Sequence, residues 1–248
     1  MTVRIDGIDA VIFDMGGILH PTPFEVLGPL AAAKGWPLDA FPRGPFDPTA
    51  DPDYLEMDRG RIREPEYWGR VSERLAQRSI AFDIHDVVDW TGRDRIEVVD
   101  AIRRLRLTYR IAILTNDATD WLGAGWRHRW WLRDAFEVMV DAAEEGLRKP
   151  APEIYRRVSE RLAVPPERSV FLDDLTVNCE GAAAVGMRPF WFDVTKPLDS
   201  TLQLLGWLLP DQVDESVAAR LARGEPVEAT VENGLVSGPI RDGGEATE

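Results

Sequence analysis

Three short apolar runs in this sequence each end at polar residues whose types could do chemistry: Ala10 to Phe13 at Asp14, Ile111 to Leu114 at Thr115 and Asn116, and Ser169 to Leu172 at Asp173 and Asp174. The carboxylate of Asp14 could act as a nucleophile that divides a slow hydrolysis into the formation and breakdown of a covalent intermediate. The paired carboxylates supply the oxygen ligands that Mg²⁺ prefers. Taken alone, an aspartate in such a position could equally cap a helix or lie in a loop.

The elements that must position these residues alternate between helix and strand patterns from residue 96 onward. Amphipathic helices are predicted at Ile96 to Leu105 and Ile154 to Leu162, and further strands at Glu137 to Asp141 and Pro189 to Asp193. This alternation predicts an α/β fold in which a parallel sheet carries helices on both faces. Because parallel strands end along one edge, Asp14, Thr115 and Asp173 would converge where such sheets bind ligands.

Residues 22–95 have a different texture, with an Ala-rich helical segment, a Pro-rich stretch and further helical segments but no parallel-strand pattern. We interpret them as a mainly helical cap inserted after the first strand, so that residues 1–21 and 96–207 form the core. Residues 208–248 form an acidic C-terminal extension that we expect to be partly disordered. Within it we predict a helix at Asp214 to Ala222 and a weak hairpin at Val231 to Val236.

The charge and composition of the chain exclude several classes of partner. The formal net charge is -14, so the long-range field repels nucleic acid and anionic membrane surfaces. No apolar run approaches the roughly 20 residues that span a bilayer. The one cysteine, Cys179, cannot form an intramolecular disulfide, and we expect it to be buried. We therefore expect a cytoplasmic monomer or homodimer, and small anionic substrates remain compatible with the net charge because a bound cation can reverse the potential inside one pocket.

Four segments occur in the order of the motifs of the haloacid dehalogenase (HAD) superfamily: AVIFDMGGIL around Asp14, ILTN at 113–116, GLRKPAPEIY at 146–155 and VFLDDLTVNCEGAAAVGM at 170–187. The resemblance covers nearly all of residues 8–195. It implies a Rossmann-like parallel-sheet core and suits the subclass whose helical cap follows the first motif. Within the superfamily the chain is similar to the N-terminal phosphatase domain of soluble epoxide hydrolases, to a domain fused to certain acyl-CoA dehydrogenases and to bacterial glucose-1-phosphate phosphatases.

The resemblance implies a Mg²⁺-dependent phosphatase that hydrolyses a small phosphate monoester through an aspartyl phosphate on Asp14. It implies that the Thr115 hydroxyl holds the transferring phosphoryl group and that Lys149 neutralises its charge. Asn116, Gly16 and His20 are further candidates for contact with the substrate.

The metal ligands implied by the same resemblance are Asp14, a backbone carbonyl near Gly16 and one carboxylate of the fourth motif. Asp174 is the predicted direct ligand, with Asp173 nearby or acting through water. The physical reason for a cation is that the nucleophile and the phosphate are both anions and repel each other.

The chain departs from the superfamily pattern at Gly16, where most of its phosphatases carry a second aspartate that acts as general acid and base. Loss of such a group costs about 10²- to 10⁴-fold in rate. His20 could supply a proton from the loop, and the alternative is a solvent-exposed loop histidine. In the predicted cap, Arg59, Arg61 and Arg63 could hold a second anionic group or could form a solvated basic turn.

Other functions follow from the same residues. A catalytically weak or inactive relative would bind a phosphorylated ligand or a protein partner, as Gly16 and the acidic C-terminal extension suggest, although the retained motif residues argue against it. A dehalogenase needs no metal, so the Asp173 and Asp174 pair argues against it. A phosphomutase is disfavoured because its chemistry needs the missing acid and base.

Overall fold

A five-stranded parallel sheet lies at the centre of the protein, in a computed structural model that describes residues 7–85, 87, 94–116 and 118–212. Its strands are β1 (Ala10–Phe13), β2 (Arg110–Thr115), β3 (Val138–Asp141), β4 (Ser169–Asp173) and β5 (Arg188–Trp191). They lie in the order β3-β2-β1-β4-β5. Phe13 of β1 pairs with Ile113 of β2 and with Leu172 of β4, so these three strands end side by side.

Between β1 and residue 87 the described chain forms α1 (Pro23–Lys34), α2 (Pro52–Asp58) and α3 (Glu64–Gln77), with short 3₁₀ turns between α1 and α2. Helix α1 begins earlier than the Ala-rich pattern suggests, because the Glu25 carboxylate accepts the Thr22 N–H at 2.6 Å and Pro23 occupies the first turn. The helix ends at Gly35, whose φ of 68° is in the left-handed region. Threonine followed three residues later by glutamate is a signal that the sequence already contained.

The remaining helices are α4 (Ile96–Leu105), α5 (Ala118–Leu122), α6 (Trp126–Arg129), α7 (Pro152–Leu162), α8 (Thr176–Ala184) and α9 (Pro197–Leu208). Side chains of β1 alternate between two apolar clusters. Val11 and Phe13 belong to one cluster with residues of α4 and α9, whereas Ala10 and Ile12 belong to the other with residues of α7 and α8. The predicted α/β fold, with a parallel sheet covered on both faces, is confirmed.

Buried residues from 26 to 87 form a third apolar cluster of their own, which includes Leu27, Tyr67, Trp68 and Leu75. These residues therefore pack chiefly on one another and leave the two faces of the sheet to the rest of the chain. The boundaries at residues 21 and 95 remain predictions.

Cys179 is buried, as predicted. In the described ranges, no helix combines the length and apolarity needed to cross a membrane. The predicted helix at Asp214 to Ala222 and the predicted hairpin at Val231 to Val236 lie outside the described residues.

Candidate active site

The carboxyl ends of β1, β2 and β4 bring the predicted site residues together. Asp14 follows β1 directly, and its N–H donates to the carbonyl of Leu172 at 2.9 Å. Thr115 is the last residue of β2 and Asp173 the last of β4. All three polar side chains are buried. The register of the sheet, set by its apolar strands, therefore places a hydroxyl and two carboxylates at one edge.

Lys149 lies between two of the carboxylates, although it belongs to the loop before α7. Its Nζ is 2.8 Å from Asp14 Oδ1 and 2.6 Å from Asp173 Oδ2. Burial lowers the pKa of this amine, but the charges of Asp14 and Asp173 outweigh burial and raise it above its ordinary value. Lys149 is therefore a permanent cation at the centre of the site.

The Asn116 side chain forms hydrogen bonds with both the N–H and the carbonyl of Lys149. The Lys149 N–H donates to Asn116 Oδ1 at 2.8 Å, and Asn116 Nδ2 donates to the Lys149 carbonyl at 3.4 Å. Asn116 also lines the cavity described below. The sequence predicted a substrate contact for Asn116. The structure shows in addition that Asn116 supports the backbone of the loop that carries Lys149.

Asp173 is held by donors from the start of α8 as well as by Lys149. Its Oδ1 accepts from Asn178 Nδ2 and from the Leu175 N–H, each at 2.9 Å. Both of its oxygens are therefore bonded to protein donors. Asn178 follows the acidic pair within the fourth motif, but no role in the site was predicted for it; its hydrogen bond to Asp173 gives it one.

Asp174 lies against the backbone of the loop that follows Asp14. A Cβ placed on Gly17 would be only 2.5 Å from Asp174 Oδ2, and Gly17 has a φ of 71°, so both contact and conformation require glycine there. No described group donates a hydrogen bond to the Asp174 carboxylate. This aspartate therefore differs from Asp173, which is fully occupied by protein donors.

Asp14, Asp173 and Asp174 each offer a carboxylate oxygen, and these oxygens lie within 4.8 Å of one another. Burial raises the pKa of Asp14 to about 7, against the opposing effect of Lys149. Burial and the charges of Asp173 and Asp14 hold the pKa of Asp174 well above its usual range. When all three carboxylates are ionised, one lysine leaves an excess of negative charge, and an all-oxygen donor set of this kind fits Mg²⁺.

A cavity of about 100 Å³ opens above these residues. Its lower wall includes Asp14, Gly16, Thr115, Lys149 and Asp174. The opposite wall is supplied by Phe24, Pro45, Tyr54, Met57 and Glu64, which belong to the segment between β1 and α4. Arg59, Arg61 and Arg63 are exposed and are not among the lining residues, and Arg61 bonds Glu56 at 2.7 Å.

His20 is not among the residues that line this cavity. Its Nδ1 lies 3.1 Å from Asp94 Oδ1, its ring is 6.3 Å from that of Trp130, and only 19% of its side chain is exposed. Burial lowers the pKa of the imidazole. The structure therefore does not bring His20 to the carboxylate cluster, and it does not leave it as a solvent-exposed loop histidine either.

Gly16 is exposed at the mouth of the cavity, and a Cβ built there meets no atom within 4 Å. Its φ lies outside the left-handed region, in contrast to that of Gly17. The position that carries the second aspartate in most superfamily phosphatases is thus open space in this protein.

Comparisons with known proteins agree with this geometry. The family model for haloacid dehalogenase-like hydrolases matches residues 8–186. Mouse acyl-CoA dehydrogenase family member 10 is 28% identical over 238 residues, which cover 89% of this chain but 21% of the mouse protein. The phosphorylated carbohydrates phosphatase of Thermotoga maritima is 29% identical over 197 residues, which cover 73% of this chain and 83% of that enzyme.

Among solved structures, the HAD hydrolase YfnB from Bacillus subtilis, bound to magnesium, superimposes with a TM-score of 0.58. It is 17% identical, and the match covers 75% of this chain and 87% of that one. At that identity the similarity speaks for the shared fold alone.

Proposed function

Because the chain belongs to the haloacid dehalogenase-like hydrolase family, we propose that it is a phosphatase that transfers the phosphoryl group of a small phosphate monoester first to Asp14 and then to water. The observation that carries this proposal is the contact of Lys149 with Asp14 and Asp173 beneath a small cavity. A lysine held between carboxylates makes sense where a further anion must approach the nucleophile.

Each residue of the cluster has a part in this reaction. Asp14 attacks phosphorus, which splits the hydrolysis into two easier steps. Lys149 offsets the negative charge of Asp14 and of the incoming phosphate. Thr115 lines the cavity at the end of β2, and its hydroxyl would donate a hydrogen bond to a phosphoryl oxygen.

The proposed cofactor is Mg²⁺, held by Asp14, the backbone carbonyl of Gly16 and Asp174. When bound, the cation would neutralise the nucleophile and the phosphate so that two anions can meet. Asp174 is preferred over Asp173 as the direct ligand because Lys149, Asn178 and the backbone of Leu175 already occupy both oxygens of Asp173.

The size of the cavity supports a small substrate. A volume of about 100 Å³ is well below the roughly 300–1,000 Å³ of the pockets that hold drug-sized ligands. Two relatives named for small phosphorylated substrates, a phosphorylated carbohydrates phosphatase and a glyceraldehyde 3-phosphate phosphatase, point to the same class.

The second candidate function is a weakly active or inactive relative that binds a phosphorylated ligand or a protein partner. The observation that favours it is Gly16, which leaves no carboxylic acid beside the nucleophile. The two candidates differ in one measurable result, since only the phosphatase releases inorganic phosphate.

The test is a panel of phosphate monoesters assayed for phosphate release with Mg²⁺ or with EDTA, using the protein and its Asp14→Asn variant. We expect release that requires Mg²⁺ and stops in Asp14→Asn. The matched control is Asp141→Asn, because Asp141 is also a buried aspartate at the end of a strand, but its carboxylate accepts the N–H groups of Thr119 and Ala143 and it is not among the residues that line the cavity. Phosphate release by Asp14→Asn, or by the unaltered protein in EDTA, would contradict the covalent mechanism.

A further inference from the structure

A buried arginine outside the four motifs contacts the loop that carries the proposed metal ligands. We propose that Arg95 is a positioning residue that fixes the loop of Asp14 to Gly17 for Mg²⁺ and ties this loop to the first helix of the opposite wall. The metal part of this inference rests on the proposed function. The positioning part does not, because it concerns the order of the loop itself.

The contacts of Arg95 reach both sides of the site. Its Nε donates to the carbonyl of Gly17 at 3.2 Å, and its Nη2 donates to Glu25 Oε2 at 2.5 Å. Its own N–H donates to the carbonyl of Leu19 at 2.7 Å. Only 7% of the Arg95 side chain is exposed, so these bonds form where water competes little.

Glu25 links the arginine to helix α1. The same Oε2 that binds Arg95 accepts the Thr22 N–H at the start of that helix. The chain leaves the sheet towards α1 at residues 19–22 and returns to α4 at residues 94 and 95. One partly buried charge pair therefore joins the two places where the chain passes between the sheet and the helices that cover the cavity.

Gly17 transmits this contact to the metal ligands. Its carbonyl is held by Arg95, while its Cα side lies against the carboxylate of Asp174 with no space for a Cβ. Gly16, whose carbonyl is the proposed backbone ligand, is the adjacent residue. A shift of the Gly17 peptide therefore moves the Gly16 carbonyl and the contact with Asp174 together.

The fork of the guanidinium is what permits two partners at once. Nε and Nη2 point to different acceptors in a fixed geometry, whereas the single ammonium of a lysine is a point charge on a flexible stem. An Arg95→Lys variant therefore retains a cation for Glu25 but loses the simultaneous bond to Gly17. Residues that orient metal ligands in this way typically change metal affinity by 10- to 100-fold when altered.

The chain offers a matched control in the next helix. Arg104 also donates from Nε to a carboxylate, that of Asp100, at 2.7 Å, and the two side chains are 5% and 7% exposed. This second buried pair lies along α4. The Arg104→Lys variant therefore measures the cost of altering a buried arginine whose ion pair with Asp100 lies within α4.

The experiment measures Mg²⁺ binding by calorimetry and amide hydrogen exchange of residues 14–20 in the full chain and in both variants. We expect Arg95→Lys to weaken Mg²⁺ binding at least tenfold and to speed exchange in residues 14–20, while Arg104→Lys changes neither by more than about twofold. Unchanged exchange in Arg95→Lys, or equal effects in the two variants, would overturn the positioning role.

A second variant protects the test against loss of folding. Glu25→Gln keeps an acceptor for Arg95 and Thr22 but removes the charge that fixes the guanidinium, so we expect the same two effects at smaller size. If the unaltered protein binds no Mg²⁺, the proposed cofactor is wrong, whereas the hydrogen exchange of residues 14–20 still decides the role of Arg95.

Discussion

At the scale of single residues, Gly16 bears on the departing group of the proposed reaction. Without a carboxylic acid beside Asp14, the leaving oxygen receives little help from a proton, so the rate should depend on the basicity of that oxygen. Anomeric, acyl and aryl phosphates should then react well, and alkyl phosphates such as glycerol phosphate poorly. The structure shows that position 16 has room for a side chain and needs no left-handed backbone.

We predict that Gly16→Asp raises the activity on alkyl phosphates more than on aryl phosphates, with a relative gain on the order of 10²-fold. The measurement is kcat/KM across leaving groups of graded pKa, in the unaltered protein and in the variant. Gly17→Ala is the neighbouring control, and it should lose activity on every substrate because its Cβ would strike Asp174. A flat dependence on leaving-group pKa in the unaltered protein, with the chemical step rate-limiting, would mean that another group already donates the proton.

At the scale of elements, helix α2 and the start of α3 supply part of the cavity wall opposite Asp14. Asp51 caps α2 by accepting the Tyr54 N–H at 3.3 Å, and it accepts the Tyr67 hydroxyl at 2.6 Å. Tyr54 lines the cavity, and Tyr67 does not. Burial and the charges of Asp174 and Asp58 raise the pKa of the Tyr54 hydroxyl above its ordinary value, so this hydroxyl stays protonated and can donate a hydrogen bond.

The two tyrosines are expected to contribute to different properties, Tyr54 to substrate binding and Tyr67 to the stability of the fold. We predict that Tyr54→Phe raises KM about 3- to 10-fold for hydroxyl-bearing substrates, since one hydrogen bond contributes about 0.5–1.5 kcal/mol, and leaves stability nearly unchanged.

Tyr67→Phe should instead lower the free energy of unfolding by about 1–3 kcal/mol, because it removes a donor from the buried carboxylate of Asp51. Steady-state kinetics and urea unfolding of both variants provide the check, and equal KM values for Tyr54→Phe and the unaltered protein would remove Tyr54 from the substrate site.

At the scale of the whole molecule, the site opposes folding when no cation is present. Lys149 pairs with two of the three clustered carboxylates, and burial raises the pKa of Asp14 from 3.8 to about 7. A folded-state pKa above the unfolded value means that the folded protein binds this proton more tightly. The contribution of protonated Asp14 to stability is therefore complete below about pH 4 and is lost as the pH rises through 7.

We predict that Asp14→Asn, in EDTA, is more stable than the unaltered protein at pH 8, by about 1–3 kcal/mol, and that the difference shrinks towards pH 5. Mg²⁺ should raise the stability of the unaltered protein and have little effect on the variant. Urea unfolding at both pH values, with EDTA or Mg²⁺, measures this. Unfolding free energies that run parallel for the two proteins from pH 5 to pH 8 would show that Asp14 does not titrate differently in the folded state.

What the sequence by itself determined is the framework of the site. The apolar runs predicted the strands β1, β2 and β4, and their polar ends predicted that Asp14, Thr115 and Asp173 lie on one edge. These predictions needed only local pattern and the rule that parallel strands end together. Helix α1 begins earlier than expected because the bond between Glu25 and Thr22 is a local signal that the apolar pattern does not contain.

Only the tertiary structure decided which side chains meet across that edge. It placed Lys149 between Asp14 and Asp173 and bonded Asn116 to the backbone of Lys149. It also placed His20 beside Asp94 instead of in the cavity. These contacts join residues far apart in the chain or depend on which way a loop turns. The reason is physical: periodicity records which face of an element is buried, whereas a side-chain pairing depends on the packing of several elements at once.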